Sequence, residues 1–532
     1  MSSDTTFNVP VVNLGRFQVD RMRKYGDLVA LVNPETERYI TYSQCADRIE
    51  QIASGLFDLG LRQGDVLCAL TFNTIEYPLV WYAVNLIGGT FLTASPLYPD
   101  EELERRFSKC YVKFLLTIPE LTTRISSMVH RMKLATVSLA RPKLLNKLIV
   151  LGEDCDGFIP FRSLLTSGQL RYKPEVDPSK STALLLSSSG TTGLPKFVKL
   201  THVNIIANMM QIQYNKQHQP GEVSVLALPV FHHYGLHSVL GTSLYNGLKV
   251  VLMDRWSTEK FFANIEKYKA NLIQVVPAMA ASLVKFPECR TYDVSSVRFV
   301  MSAAAPMGVG VEEHLRQLFN VPFISQSYGL TETGYNSGNT TDRHRLGSNG
   351  VSPIGTTLKI FDPETEEELA RNKTGEIRVK GEMVTTGYLD DDVATRLTFD
   401  QNGFFKTGDI GYLDSDGFLF IVDRLKELIK YKGLQVAPAY LEDIIVKHPG
   451  VADAAVIGIP DPDAGELPRA YVVRQTGSHI TAKDIVQYVH DHVAPHMRLR
   501  GGVEFIQEVP RTPSGKIMRR HLKPKKQTTS RL

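Results

Sequence analysis

Short apolar runs recur along this 532-residue chain, and between them polar residues return at helical spacing. Asp65 to Leu70, Thr90 to Thr93 and Phe114 to Leu116 predict strands, with helices over Leu79 to Ile87 and Glu101 to Cys110 between them. The rhythm resumes with strands over Val225 to Leu228, Lys249 to Met253, Leu272 to Val276 and Val297 to Met301, and helices over Gly235 to Leu244 and Thr258 to Tyr268. That alternation predicts an α/β fold of layered sheets and helices. Tyr77 to Pro99 carry no charge, over a length sufficient for a bilayer. Pro78, Gly88, Gly89, Pro96 and Pro99 interrupt any single helix there, so a buried helix, a glycine turn and a strand are expected rather than a transmembrane segment.

Near Asp423 the pattern shortens. A helix over Ala439 to Val446, strands over Ala454 to Ile459 and Ala470 to Val473, a helix over Ala482 to His492 and a strand over Val503 to Val509 follow one another. Thr481 with Asp484 predicts a capping box at the start of the second helix. The division expected is a large N-terminal domain, residues 1–422, and a small α+β lid domain, residues 423–532.

Composition narrows the partners. Sixty Lys and Arg against 56 Asp and Glu leave a net charge of +4, too weak on a surface this large to point to nucleic acid. Five cysteines (Cys45, Cys68, Cys110, Cys155, Cys289) form no C-x-x-C, so neither a disulfide framework nor a zinc site is expected and a reducing compartment fits. The N-terminus lacks the basic and apolar regions of a secretory signal.

The candidate chemistry begins at Leu184-Leu185-Leu186-Ser187-Ser188-Ser189-Gly190-Thr191-Thr192-Gly193-Leu194-Pro195-Lys196. Gly190 and Gly193 let backbone amides turn towards an anion, the hydroxyls of Ser188, Ser189, Thr191 and Thr192 add donors, and Lys196 adds charge. Pro195 before the lysine and Phe197 after it do not fit the Walker pattern. Gln326-Ser327-Tyr328-Gly329-Leu330-Thr331-Glu332-Thr333 places an aromatic face, a glycine, a hydroxyl and a carboxylate in one loop. Further on stand Leu228 to Gly235 with His232 and Tyr234, Ser302 to Pro306 with small residues, Phe405-Lys406-Thr407-Gly408-Asp409, Ile421 to Gly433 with four lysines, and Pro510-Arg511-Thr512-Pro513-Ser514-Gly515-Lys516-Ile517. His232, His233 and His237 have no H-E-x-x-H and no acidic partner, so no transition metal is expected.

In this order and spacing the motifs resemble those of the adenylate-forming superfamily: acyl-CoA synthetases, aryl-CoA ligases such as 4-coumarate:CoA ligase, and beetle luciferases. The resemblance runs from the first β-α-β region to Lys516. It implies ATP, Mg²⁺ and CoA as cofactor and co-substrates. It also implies two steps: carboxylate plus ATP gives acyl-AMP and pyrophosphate, then the CoA thiol gives acyl-CoA and AMP. Within it, Ser188 to Gly193 and Lys196 grip the β- and γ-phosphates. Ala304, Ala305 and Pro306 lie beside the adenine with Gln326, Tyr328 and Gly329; Ala303 stands where glycine is usual, as does Phe197. Thr331 contacts phosphate and Glu332 holds Mg²⁺. Asp409 and Arg424 hold the ribose, and His232 lies near the acyl carboxylate. Tyr234 lines the acid pocket, which Tyr335 and Asn336 narrow. Lys516 is the adenylation lysine, while Lys426, Lys430, Lys432 and Gly433 contact AMP and CoA, with Arg255 a further CoA candidate. Tyr440 replaces a usual glutamate, with a structural consequence expected.

Two alternatives share these motifs: a luciferase-type monooxygenase that oxidises its own adenylate, and a non-catalytic nucleotide- or acyl-binding scaffold. The acid is expected to be small, fatty or aryl. Ser530-Arg531-Leu532 resembles the C-terminal peroxisomal address, which implies a peroxisomal import receptor as partner and a peroxisomal location, cytoplasmic otherwise.

Overall fold

The uncharged stretch beginning at Tyr77 is the centre of the N-terminal core. In the computed structural model, which describes residues 7–136, 144–165, 172–188, 196–216, 218–305, 307–432, 434–512 and 516–523, it forms helix Glu76–Ile87. Every residue from Tyr77 to Ile87 is buried, as a helix apolar on all sides requires. The helix stops at Gly88, whose φ of 86° is left-handed, and the chain turns into strand Thr90–Ala94. Helix Leu14–Tyr25 packs closely on it, because a Cβ on Gly15 would stand 2.5 Å from Leu86 N and Tyr82 O.

Two sheets share this core. The first has eight strands in the order Gly334–Gly338, Ser325–Leu330, Phe299–Ser302, Leu272–Val275, Val223–Leu226, Lys249–Leu252, Val29–Val32 and Tyr39–Thr41. The second has seven, in the order Ile159–Pro160, Lys147–Val150, Val112–Thr117, Val66–Leu70, Thr90–Ala94, Thr182–Ser188 and Lys196–Thr201. The inner strands of both run parallel, so their carboxyl ends gather on one edge. An antiparallel sheet, Thr357–Phe361, Gly375–Lys380, Phe405–Leu413 and Leu419–Arg424, follows. Nothing in the apolar pattern announced it, because its strands carry Glu376, Arg378, Lys406 and Asp409 among the apolar residues.

The C-terminal domain has its own sheet and apolar cluster. Strands Val451–Asp461 and Gly465–Arg474 form one long hairpin, flanked by Ile429–Tyr431, Leu434–Val436 and Val503–Phe505. Helices Pro438–Ile445 and Ala482–His492 cover it. The capping box is present: Asp484 N donates to Thr481 Oγ1 at 3.3 Å and Thr481 N to Asp484 Oδ2 at 2.8 Å. Some boundaries differ from expectation. The strand expected over Val225 to Leu228 lies at Val223–Leu226, since Pro229 has no N–H for a ladder. The helix expected over Gly235 to Leu244 is π-helical from Tyr234 to Gly241 and α-helical only over Thr242–Tyr245. Among the described residues no helix is long and apolar enough to cross a membrane, and all five cysteines are free thiols.

Candidate active site

Open α/β sheets bind ligands outside the carboxyl ends of their strands, and here two such edges meet. After Val66–Leu70 the chain sends Asn73 across to the first sheet, where Nδ2 donates to Leu228 O at 3.0 Å and Met253 O at 2.9 Å. After Thr90–Ala94, Thr93 Oγ1 donates to Phe231 O at 2.8 Å. The segment bearing His232 is thereby stitched to the second sheet, and Ser302 and Glu332 follow neighbouring strands of the first.

The phosphate loop joins Thr182–Ser188 to Lys196–Thr201, an antiparallel pair in which Ser188 opposes Lys196. Both ends of the loop are therefore fixed at one point, while Ser189, Gly190, Thr191, Thr192 and Gly193 lie outside the described residues, as do Pro306 and Gly433. Phe197 continues the strand and is buried beneath the Arg106 guanidinium, 5.5 Å from its ring centroid. On the outer side of the hairpin, Lys199 N donates to Gly387 O and Leu389 N to Phe197 O. That register brings Tyr388 beneath Lys196, whose Nζ stands 4.8 Å from the ring centroid.

Tyr388 also reaches Glu332, its OH donating to Oε1 at 3.2 Å. Glu332 sits with Thr331 in the turn between Ser325–Leu330 and Gly334–Gly338, and a Cβ on Gly329 would stand 2.1 Å from Gly334 O, so only glycine permits that approach. The carboxylate is buried, and its surroundings offer oxygen donors. One strand partner away, Tyr328 OH donates to Asp409 Oδ2 at 2.7 Å. Asp409 opposes Arg424 across two strands, with Arg424 Nε 3.2 Å from Oδ1. Burial, then the Asp409 charge, holds the Tyr328 phenol well above its usual pKa, so it stays a donor. Gln326 points elsewhere: its amide donates to Glu312 Oε2 at 2.5 Å, bracing the strand from behind. Ala304 takes a φ of 77° and Ala305 is half-buried beside it; a residue without Cβ branching tolerates that backbone at modest cost.

His232 Nε2 is sealed from solvent and has no hydrogen-bond partner among the described residues. Burial and the positive charges of Lys516 and Arg106 push its pKa down to about 4, leaving the ring neutral. Tyr234 OH lies 3.4 Å from Val275 O and 3.5 Å from Met301 O, against two strand ends. The Tyr335 ring is buried, its OH accepting from Asn215 Nδ2 at 3.1 Å. Arg255 is exposed and lies over Phe72, 4.1 Å from the ring centroid.

From the lid comes Lys516. Burial and Arg424 lower its amine below the usual lysine range, opposed by Asp409, Glu332 and Glu427; those partners, with its effect on His232, place it over the crevice. Ion pairs hold the chain on both sides of it. Arg511 Nη2 donates to both oxygens of Asp453, at 2.9 and 3.0 Å. Arg519 Nη2 donates to both oxygens of Glu442, at 2.7 and 2.8 Å, and Nη1 reaches Glu427 at 3.0 Å. Lys426, Lys430 and Lys432 are exposed, so the structure gathers Lys196, Glu332, Asp409, Arg424, His232 and Lys516 but not the other lid lysines.

Residues 19–389 match the model of the AMP-binding enzyme family, and residues 440–516 that of the AMP-binding enzyme C-terminal domain. The chain belongs to the AMP-binding enzyme family. Its family relatives include a 4-coumarate–CoA ligase of Humulus lupulus, 35% identical over 520 residues, 95% of this chain and 92% of the relative. Another, from Narcissus pseudonarcissus, is 36% identical over 514 residues, 94% of this chain and 91% of the relative. Among solved structures, ATP-bound MatB from Rhodopseudomonas palustris superposes with a TM-score of 0.85 at 25% identity, covering 95% of this chain and 98% of that one. The anthranilate CoA ligase AuaEII in complex with anthranoyl-AMP has the same fold, with a TM-score of 0.87 at 22% identity over 98% of each chain. In this AMP-binding enzyme, Tyr388 and Arg106 are the site neighbours that spacing alone did not indicate; the only signal was an aromatic beside Gly387 and an arginine on a polar helix.

Proposed function

We propose that this chain is an ATP-dependent carboxylic acid:CoA ligase acting on a small aryl or fatty acid. The supporting observation is the convergence of Lys516 from the lid with Lys196, Glu332, Asp409, Arg424 and neutral His232 at the meeting edge of two sheets. The relatives' named activity on 4-coumarate supports the CoA and aryl parts. In the first step the carboxylate, already ionised near neutral pH, attacks the α-phosphorus and the bond to pyrophosphate breaks. Lys516 faces the charge that builds there, Lys196 the β- and γ-phosphates, and Asp409 with Arg424 the ribose. Glu332 offers a buried oxygen ligand suited to Mg²⁺, which would neutralise phosphate charge. In the second step the CoA thiol loses its proton, sulfur bonds to the acyl carbon and AMP leaves. A turn of the lid near Asp423–Arg424, which we take as the domain boundary, would exchange Lys516 for Lys430, Lys432 and the CoA-facing residues. Acid-dependent AMP release, screened over aryl and fatty acids with and without CoA, is expected to rise with one class and to require CoA for turnover. Release that no acid stimulates would remove the ligase assignment.

We also propose that Ser530-Arg531-Leu532, outside the described residues, directs the chain to peroxisomes. A fluorescent fusion with a free C-terminus is expected to collect there, and deletion of the three residues to disperse it. Identical diffuse images from both would refute the address.

A further inference from the structure

Beside the acid pocket lies a hydrogen-bond relay whose direction can be read from its far end. His237 Nε2 lies 3.0 Å from Ile205 O. A carbonyl only accepts, so the proton of His237 sits on Nε2 and its Nδ1 is a bare acceptor. His233 Nε2 lies 2.9 Å from that Nδ1, so His233 carries its own proton on Nε2. Burial holds both rings neutral, His237 at about 4 and His233 well below its usual value, where the neighbouring His237 adds to the effect. What remains is His233 Nδ1, an acceptor on the ring edge turned away from His237. Ser238 Oγ stands 3.5 Å from it, at the outer limit of a hydrogen bond. His233 is partly accessible while His237 is sealed, so the relay opens at His233.

A second free acceptor faces the same region. Strand Gly334–Gly338 shifts register against Ser325–Leu330, pairing Tyr335 with Gly329 and Ser337 with Tyr328. Asn336 is the extra residue of that bulge, a feature that re-aims a side chain beside a site. Its Nδ2 donates to Thr333 Oγ1 at 2.7 Å, which fixes the amide, and its Oδ1 is buried with no partner among the described residues. One helix ties the two acceptors together. Ile205 O receives His237, and one turn later Asn208 receives Tyr335 N at 3.1 Å and donates to Tyr335 O at 3.3 Å.

Resting on the ligase assignment above, we propose that His233, its tautomer locked by His237 and Ile205, selects the acid together with Asn336 by accepting hydrogen bonds from a donor group on the acid's side chain. The class is a carboxylic acid bearing a hydroxyl or amino group. Two buried acceptors disfavour a methyl in that position, because they would stay unpaired, and they repel a second carboxylate.

The test compares kcat/KM for acid pairs that differ only by hydroxyl against methyl. The wild type is expected to favour the hydroxylated acid about tenfold or more, and His233→Leu to bring the ratio within about threefold of unity. His237→Leu, which touches no substrate, is expected to lower the ratio partway, through KM rather than kcat. An unchanged ratio in His233→Leu, or no preference in the wild type, overturns the proposal. Imidazole ¹⁵N spectra at pH 7.5 give a readout independent of turnover: both rings are expected as the Nε2–H tautomer, with the His233 Nδ1 signal moving only when the hydroxylated acid is added. An Nδ1–H ring at either position, or a signal that the acid leaves unmoved, refutes the proposal even if no variant turns over. Absent AMP release with every acid refutes the ligase assignment instead, and the spectra still decide the tautomers.

Discussion

Replacing Lys516 by alanine is expected to slow acyl-adenylate formation by about 10²–10³, the loss that follows removal of one electrostatic contact to a developing oxyanion. The lysine is the lid's contribution to a crevice that otherwise holds Lys196 and Arg424 as cations and Glu332 and Asp409 as anions. Its amine feels all of the last three. Burial lowers its pKa, and the charge is worth more in such surroundings than in water. The conversion of supplied acyl-AMP to acyl-CoA is expected to survive the substitution, because Lys430 sits on strand Ile429–Tyr431 with its side chain exposed while Lys516 is engaged. Lys430→Ala is expected to show the reverse, with the thioester step lost and the adenylate still formed. Single-turnover measurement of each half-reaction separates them, since steady-state rates report only the slower. Equal loss of both half-reactions in both variants would mean that one fixed lid posture serves both steps.

Arg519→Ala is expected to destabilise the lid by about 3 kcal/mol, the cost of leaving buried carboxylates without their cation. Arg519 answers Glu442 with two bonds and Glu427 with one, and its charge also reaches the buried Asp423. Glu442 is the sensitive member. Burial pushes it up to about 7, opposed by Arg519 and the Val456 N–H and reinforced by Asp423 and Glu427. A carboxyl whose folded pKa lies above its unfolded value of about 4.3 adds stability that is fully present below the unfolded value and lost as pH rises through the folded one. Without Arg519 the folded value climbs further, so the loss extends above pH 7. The gap between variant and wild type is therefore expected to be wider at pH 8 than at pH 6. Thermal unfolding at both pH values, with hydrogen exchange of the Val451–Asp461 and Gly465–Arg474 amides, reads it. A gap independent of pH would show that Glu442 ionises alike in both proteins.

Much of the N-terminal domain was legible because its strands are short, apolar and separated by helices of clear period. Val66–Leu70 and Thr258–Tyr268 lie within a residue of expectation for that reason. The antiparallel sheet escaped notice because a half-exposed strand such as Phe405–Leu413 mixes Lys406, Thr407 and Asp409 with its apolar residues. The site residues were named by motif, and motifs carry identity rather than posture. Asp409 and Arg424 stand fifteen positions apart and meet only through strand pairing, which spacing does not disclose. Gln326, named with the adenine loop, donates its amide to Glu312 because its strand turns that side chain towards helix Val309–Phe319. Tyr388 touches both Lys196 and Glu332, yet it sits in a segment that carries no recognisable chemistry of its own. His233 and His237 are four apart, a helical spacing readable in advance; the direction of their relay depends on Ile205 O, thirty-two residues away.

Lys516 hangs between two bidentate arginine clasps, Arg511 on Asp453 and Arg519 on Glu442. A protease that cuts after Leu522 leaves both clasps closed, and the trimmed enzyme should keep its adenylation half-reaction. A cut between Lys516 and Arg519 opens the downstream clasp and frees the lysine on a fraying end, so inactivation should begin within a window of three peptide bonds. Everything beyond that window is free to lengthen, shorten or take on a new signal over evolutionary time without disturbing the chemistry.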